Sequence, residues 1–328
     1  MPRLSQSDLL NLVVRSIETG GWNSLIADQH KPFEVRVFKD RYRALNLRIY
    51  IWNCTHGGGA ARAPDEYRIQ FTGVVPRNHN NAITLLLGWH GGYEVFAAWD
   101  IRRHDNQASA SPSAQIREEI LGQAHARQFA VGTRANGELV VAFRPEFLVD
   151  YALSSASLHR MGVTEENFSL LNQIDSVKDE EISGIKDRER RKVVATIVRK
   201  FRESDFRKRV LGAYNHQCAM CGVQLELIDA AHILPVAADG STDETINGIA
   251  LCKLHHAAFD RNLVSFDEKY RIQVSVTEAT RLSESNRGGG MSAFQERLRA
   301  ALILPNDRRD YPPSQLISLS RSVRNWSL

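Results

Sequence analysis

The chain has 328 residues and a formal net charge of +4, a length that suits two domains of ordinary size. Hydrophobic residues make up 43% and charged residues 24%, and so small a net charge is a weak indication of nucleic-acid binding. No apolar run approaches the roughly 18 residues of a membrane span, and the N-terminus lacks an apolar signal core, so we expect a cytoplasmic protein.

The N-terminal part of the chain predicts one helix and then a series of strands. Residues 5–19 place apolar side chains at helical spacing, after a serine and before a Gly-Gly pair. Two further helices are predicted at about 113–126 and 145–153. The strand-like runs are 33–38, 44–53, 67–74, 82–88, 93–100, 128–134 and 138–143, with hairpin turns predicted at 90–92 and 135–137.

Seven strands with few helices between them favour a closed or half-closed barrel. A doubly wound parallel sheet would need a helix between nearly every pair of strands. We therefore predict a strand-rich pseudo-barrel domain at residues 1–155, followed by a helical, basic linker at 156–203.

A concentration of basic residues ends this linker and continues beyond it. From Lys186 to Arg209 the sequence holds eleven Lys or Arg against four Asp or Glu, in helices predicted at 185–203 and 204–214. Such a run fits either a solvated helical face or a surface that contacts nucleic acid.

The cysteines predict a metal site. Three of the four, Cys218, Cys221 and Cys252, lie within 35 positions, far from Cys54. Cys218 and Cys221 form a Cys-x-x-Cys pair, and Cys252 with His255 forms a Cys-x-x-His pair thirty residues later. Two such pairs together indicate a structural Cys3His zinc site, whereas one pair alone would equally fit redox chemistry or two packed thiols.

The loop between these pairs contains a second pattern of polar residues. It runs Ala-Ala-His232-Ile-Leu-Pro, then Asn247-Gly-Ile-Ala-Leu-Cys, then His-His256-Ala-Ala-Phe-Asp260. This order resembles the HNH nucleases, the ββα-metal or His-Me finger family, and within them the McrA-like group. The resemblance covers about 55 residues, from Cys218 to Val274.

The resemblance implies an α+β protein with a zinc-stapled ββα-metal nuclease domain, which we place at 204–328. His232 would be the general base, Asn247 would hold the His232 ring or its strand, and His256 would bind a catalytic divalent cation, Mg²⁺ or Mn²⁺. His255 and His256 are neighbours on one helix, so only one can face the zinc, and Cys-x-x-His spacing favours His255.

Two acidic residues are further candidate ligands of the catalytic cation. Asp260 follows His256 by four positions, on the same helical face, although a cap or salt bridge is an alternative role. Asp229 precedes His232 by three. Positions three apart on a strand point to opposite faces, so a bulge would be needed before Asp229 could reach the same ion.

Two groups of residues are candidates for DNA contact. Arg207, Lys208 and Arg209 stand immediately before the nuclease domain and could contact phosphates. In the N-terminal domain, Ser111, Ser113 and Gln115 form a run of side-chain donors placed before a predicted helix. Tryptophans at 52, 89 and 99 could stack on a base, but core packing is the favoured interpretation for each.

We therefore predict a restriction-type DNA endonuclease that hydrolyses double-stranded DNA with one divalent ion. One active site cuts one strand, so a homodimer is expected. Two alternatives stay open. The N-terminal domain could sense a small molecule or a partner protein instead of reading a sequence or a modified base, or the C-terminal domain could be a non-catalytic zinc module that binds DNA.

Overall fold

The computed structural model describes residues 3–39, 44–57, 63–105, 112–160 and 165–326, with the side chains of 165–168 left out. The chain divides into two compact units, Met1–Phe201 and Arg202–Leu328. None of the described helices has both the length and the apolar composition needed to cross a membrane.

The first unit combines two sheets with helices. Its strands are β1 (Asn23–Asp28), β2 (Phe33–Phe38), β3 (Ala44–Asn53), β4 (Thr55–His56), β5 (Glu66–Gln70), β6 (Ile83–His90), β7 (Val95–Trp99), β8 (Ser113–Arg117), β9 (Phe129–Thr133) and β10 (Leu139–Phe143). Its helices are α1 (Gln6–Thr19), α2 (Glu118–Arg127), α3 (Leu148–Arg160), α4 (Glu165–Asn172), α5 (Asp179–Ser183) and the first half of α6 (Arg188–Ala213).

The large sheet has seven strands in the order β1-β2-β3-β6-β7-β10-β9. All neighbours are antiparallel except β3 and β6, whose connection contains β4 and β5. β4, β5 and β8 form a separate three-stranded sheet. The strand-rich α+β character is thus confirmed. The seven-stranded sheet is nevertheless open, because β1 and β9 are its two edges among the described strands, whereas the sequence favoured a closed or half-closed barrel.

Both faces of the large sheet are covered by apolar side chains, which explains why its central strands are almost continuously hydrophobic. On β6, Leu85 and Leu87 point into a core shared with α1, α3 and the first half of α6. Leu86 points the other way, into a core shared with β5, β8 and α2. The alternation along β6 follows from the two-residue period of a strand.

Two local predictions are corrected, and one edge strand was not predicted. The helix predicted from residue 113 begins only at Glu118, because Ser113–Arg117 pair with β5 as β8. The two helices predicted at 185–203 and 204–214 are one continuous helix, α6. β1 was not predicted, since it buries almost none of its side chains and so leaves no apolar pattern in the sequence.

The second unit contains a ββα element followed by small helices. It comprises the second half of α6, β11 (Ile228–His232), β12 (Gly248–Cys252), α7 (Lys253–Asp260), β13 (Val264–Phe266), β14 (Ile272–Val274), α8 (Val276–Glu284), α9 (Met291–Glu296) and α10 (Ser314–Val323). β11 and β12 pair antiparallel in a continuous register that sets His232 opposite Gly248. α7 follows β12 directly and packs on both strands.

Candidate active site and metal centre

Four potential metal ligands from two separate segments meet at the start of α7. Cys218 and Cys221 lie on the turn after α6, while Cys252 is the N-cap of α7 and His255 lies in its first turn. All four ligand atoms are within 4.8 Å of one another. His255 Nδ1 is 3.4 Å from Cys218 Sγ and 3.2 Å from Cys252 Sγ. Tetrahedral zinc would separate sulfur from nitrogen by about 3.5 Å, so the cluster is compatible with zinc.

The local backbone explains why the two thiols of the first pair face the same way. The Gly222 N–H bonds to the Cys218 carbonyl at 2.7 Å and closes a tight turn around Cys221. Gly222 has a φ of +81°, a conformation that glycine adopts without a steric penalty. In the second pair, an N-cap residue and a residue three positions later lie on one side of the helix start.

The three thiols lie close enough together that hydrogen bonding and burial shift their pKa values in different directions. The hydrogen bond with Cys252 lowers the pKa of Cys218, and the same bond raises the pKa of Cys252 to about 11. Burial raises the pKa of Cys221. A bound cation would remove this conflict, because zinc binds thiolates and stabilises their charge.

His232 lies at the end of β11 in contact with two side chains. Its ring is stacked on Phe206 of α6. Its Nε2 lies 2.9 Å from Oδ1 of Asp243, in the connection between β11 and β12. The His232 side chain is 20% exposed, so the ring is held by the protein while one edge stays accessible.

Asn247 is buried and holds the backbone that follows His232. Its Oδ1 accepts from the Leu234 N–H at 2.8 Å, and its Nδ2 donates to the Thr242 carbonyl at 2.8 Å. Its own carbonyl accepts from the Ile233 N–H at 2.8 Å. Of the two roles that the resemblance implied for Asn247, these bonds match support of the chain next to His232, whereas the ring itself is bonded by Asp243.

His256 and Asp260 lie one turn apart on α7. His256 Nε2 is 3.4 Å from Asp260 Oδ2, and their side chains are 24% and 55% exposed. An imidazole nitrogen and a carboxylate oxygen at this separation can share one divalent cation. His255, the neighbouring residue, is instead buried in the Cys3His cluster.

Arg324, just after α10, connects the end of β11 with the end of α7. Its Nη2 donates to the His232 carbonyl at 3.2 Å, and its guanidinium lies 4.4 Å from the centre of the Phe259 ring. Burial lowers the pKa of Arg324, and the nearby Asp260 carboxylate opposes that shift. The positively charged guanidinium of Arg324 is thereby held between the strand that carries His232 and the helix that carries His256.

Asp229 is turned away from this site. The β11–β12 register has no bulge, so Asp229 and His232 face opposite sides of the strand pair. Asp229 Oδ1 pairs with Arg207 Nε at 2.9 Å, and Oδ2 pairs with Lys253 Nζ at 2.8 Å. We therefore remove Asp229 from the candidate ligands of the catalytic cation.

The three basic residues predicted to contact DNA differ in their surroundings. Arg207 is paired with Asp229. Arg209 donates to Asp205 Oδ2, Thr245 Oγ1 and the Asp243 carbonyl at 2.7, 2.9 and 2.7 Å, so it supports the segment next to His232. Lys208 is exposed and is the one of the three that could reach a phosphate without breaking such bonds.

The candidate DNA-contact residues of the first unit lie on a strand and not in a loop, as far as the structure describes them. Ser111 lies outside the described residues. Ser113 and Gln115 belong to β8, and the Gln115 side chain bonds to Ser113 and Arg134. The three tryptophans are in the core, with exposed fractions of 6%, 8% and 1% for Trp52, Trp89 and Trp99.

Sequence reasoning missed Asp243, Phe206 and Arg324. Asp243 is one of three acidic residues, with Asp239 and Glu244, in the connection between β11 and β12, and nothing in the sequence distinguishes them. Phe206 and Arg324 lie far along the chain from His232 on either side. Only the packing of α6 and the segment after α10 brings them to it.

Comparisons with known proteins gave matches to two family models and to a solved structure. Residues 218–267 match a family model described as HNH endonuclease, and residues 45–152 match one described as methylase-associated X1. A solved modification-dependent restriction endonuclease, TagI, is similar over 85% of this chain and 81% of its own, at 12% identity and a TM-score of 0.30. No curated protein compared with the chain matches it.

The matched segment begins at the first cysteine of the Cys3His cluster and includes both strands and the helix that carry the candidate catalytic residues. The chain therefore carries an HNH endonuclease domain at residues 218–267.

Proposed function

We propose that the chain is a restriction-type DNA endonuclease that hydrolyses phosphodiester bonds of double-stranded DNA with one divalent cation. The observation that carries the proposal is the arrangement inside the HNH domain. His232 ends β11 with one edge of its ring accessible, and His256 and Asp260 lie together on the adjoining helix. A purely structural zinc module would need none of these three residues.

The chemistry assigned to His232 is acceptance of a proton from the attacking water. Phe206 and Asp243 fix the ring, and Asn247 and Arg324 fix the backbone around it, so the base is held in place before the substrate arrives. General-base catalysis of this kind contributes about 10²- to 10⁴-fold to a reaction rate.

His256 and Asp260 are the residues that would hold the catalytic cation. Their nitrogen and oxygen donors, both partly exposed, fit Mg²⁺ or Mn²⁺ supplemented by water and phosphate oxygens. Such a cation supplies positive charge where negative charge develops on the phosphate and the leaving 3′ oxygen. The Cys3His cluster would hold a different ion, a zinc with a structural role.

The first unit is proposed to read a DNA sequence or a modified base. The match of residues 45–152 to a family model described as methylase-associated X1 is the finding that supports this role. A homodimer is proposed because one site cuts one strand. Lys208 is proposed as a phosphate contact that contributes affinity but no sequence information.

The test is cleavage of paired unmodified and cytosine-modified plasmids with Mg²⁺ or Mn²⁺, comparing the native chain with His232→Ala. We expect the native chain to cut and the variant to be slower by about 10²-fold or more. A preference between the two plasmids would support a reader of base modification.

Two outcomes would favour the alternatives. Cleavage that is unchanged in His232→Ala would overturn the assignment of the base. A native chain that binds DNA but cuts neither plasmid with either metal would favour a zinc-binding module or a nuclease that awaits a signal, and cleavage restored by a cell extract would identify the latter.

A further inference from the structure

We infer that Asp243 is the residue that positions the general base, His232. The Asp243 carboxylate accepts a hydrogen bond from the Nε2–H of His232, so that Nδ1 of the ring faces the attacking water. Asp243 itself donates no proton. This inference rests on the proposed function, in which His232 is the base. It adds an assignment of the reacting nitrogen and of the residue that selects it.

The first step is the direction of the bond between the two side chains. His232 Nε2 lies 2.9 Å from Asp243 Oδ1, a normal hydrogen-bond distance. A carboxylate only accepts hydrogen bonds, so the ring must donate from Nε2. A neutral imidazole carries one proton, and its lone pair is then on Nδ1.

The second step is that Nδ1 is available. Within the described residues no hydrogen-bond partner of His232 Nδ1 is found, and this atom is not among the fully buried polar atoms that lack one. The opposite arrangement, with Nε2 as the base, would leave the reacting lone pair pointing at a carboxylate. The observed contact therefore favours Nδ1.

The third step is that Asp243 is itself held. Arg209 Nη2 donates to the Asp243 carbonyl at 2.7 Å, and Asn247 Nδ2 donates to the carbonyl of the preceding Thr242 at 2.8 Å. Arg209 Nη1 also donates to Thr245 Oγ1 at 2.9 Å. The backbone is thus fixed on both sides of Asp243, although its side chain is 42% exposed.

The fourth step is that the ring has little freedom to turn away. Phe206 lies against one face of the ring with nearly parallel planes, 9° apart. The His232 carbonyl accepts from Arg324. With its face and its backbone both held, the ring needs only the bond at Nε2 to define its orientation. Fixing an imidazole through its second nitrogen is a common way to set the tautomer of a catalytic histidine.

The test uses Asp243→Ala, Asp243→Asn and the matched control Asp239→Ala. Asp239 is an exposed acidic residue of the same connection, so its removal changes the charge equally without touching His232. We expect Asp243→Ala to lower kcat about 10- to 100-fold with little change in KM, since a displaced base loses rate and not DNA affinity. Asp243→Asn keeps an oxygen acceptor and should recover part of that loss.

A spectroscopic readout separates positioning from a general structural effect. Long-range ¹H–¹⁵N NMR of histidine-labelled protein in alkaline buffer reports which ring nitrogen carries the proton, and the His232→Ala spectrum assigns the signal. The native chain should show protonated Nε2 and bare Nδ1 at His232. Asp243→Ala should give a mixture of the two tautomers, and Asp239→Ala should match the native spectrum.

The outcomes distinguish this inference from the proposed function. If the native chain cuts DNA, His232→Ala does not, and Asp243→Ala retains native kcat, then the positioning role is wrong while the nuclease stands. A native His232 protonated on Nδ1 would overturn the inference as well. If the tautomer behaves as expected but the native chain does not cut DNA, the proposed function fails instead. Zinc content and thermal unfolding of each variant show whether it is folded. If Asp243→Ala does not fold, the isosteric Asp243→Asn variant still provides the test.

Discussion

The imidazole of His232 lies flat on the ring of Phe206, with ring centres 3.9 Å apart and planes 9° apart. Phe206 belongs to the second half of α6 and is 3% exposed. The helix that carries the basic run therefore contacts the candidate active site through an aromatic residue. The position of His232, the proposed general base, depends on the packing of α6 against the strand pair.

Replacement of Phe206 by leucine should reduce activity more than stability. Leucine keeps an apolar side chain but removes the aromatic stacking, which is worth about 0.5–1.5 kcal/mol beyond buried area. We expect kcat to fall about tenfold. Phe266→Leu is the matched control, since Phe266 is a buried core residue of the same unit stacked on Phe259. Equal losses of activity at equal losses of melting temperature would contradict the role of Phe206.

Asp260→Asn and His256→Ala should weaken the response to the catalytic cation. Each removes one of the two donors that lie 3.4 Å apart on α7. The metal concentration that gives half-maximal cleavage should rise about 10- to 100-fold for Asp260→Asn and more for His256→Ala. Titration of Mg²⁺ and Mn²⁺ checks this. Glu284→Gln, an exposed acidic residue at the end of α8, should leave the titration unchanged.

Cys221→Ser should release the structural zinc and unfold the second unit. A structural zinc site contributes about 10 kcal/mol or more of apparent binding free energy, which is folding free energy when the site forms only in the folded chain. Elemental analysis should find one zinc ion per native chain and much less in the variant. Cys54→Ala, a buried cysteine of the first unit, should retain the zinc. Native zinc content in Cys221→Ser would refute the ligand set.

Gly248→Ala should damage the site through a steric conflict. A Cβ at Gly248 would lie 2.1 Å from Val210 Cγ2 and 3.1 Å from the Phe206 ring. Relieving this overlap should cost about 1–3 kcal/mol of unfolding free energy and move Phe206, with loss of activity. Gly212→Ala in α6, where a Cβ meets nothing within 4 Å, should instead stabilise by about 0.5–1 kcal/mol. Denaturant unfolding of both variants checks the contrast.

The stability of the first unit should depend on pH through His159. Burial lowers the pKa of His159 to about 4, and the neutral ring bonds to the Tyr151 hydroxyl. The unfolded chain takes up this proton near pH 6.5, so the contribution to stability falls as the pH drops from about 6.5 to 4, by at most about 1.4 kcal/mol per pH unit. His159→Asn should flatten this dependence in thermal unfolding. An identical pH dependence in the variant would show that His159 does not titrate in this way.

Much of the catalytic domain could be predicted from sequence because its ligands are close along the chain and their side chains have narrow chemistry. Cys-x-x-Cys and Cys-x-x-His each place two ligands on one turn, so spacing alone predicts a shared metal. The metal prediction depends on local geometry, which a sequence pattern carries directly. The ββα element around His232, Asn247 and His256 is instead what the resemblance to the HNH nucleases implied.

The sequence determined the kind of chemistry, and the tertiary structure decided which neighbours serve it. Asp229 and Asp243 are both acidic residues near His232 in sequence, yet one pairs with Arg207 and Lys253 and the other with the His232 ring. Arg209 supports the Asp243 backbone. Likewise, the strand pattern predicted a β-rich first unit but not an open sheet. Strand order, edge pairing and long-range side-chain partners arise from how distant segments pack, and no local pattern encodes that packing.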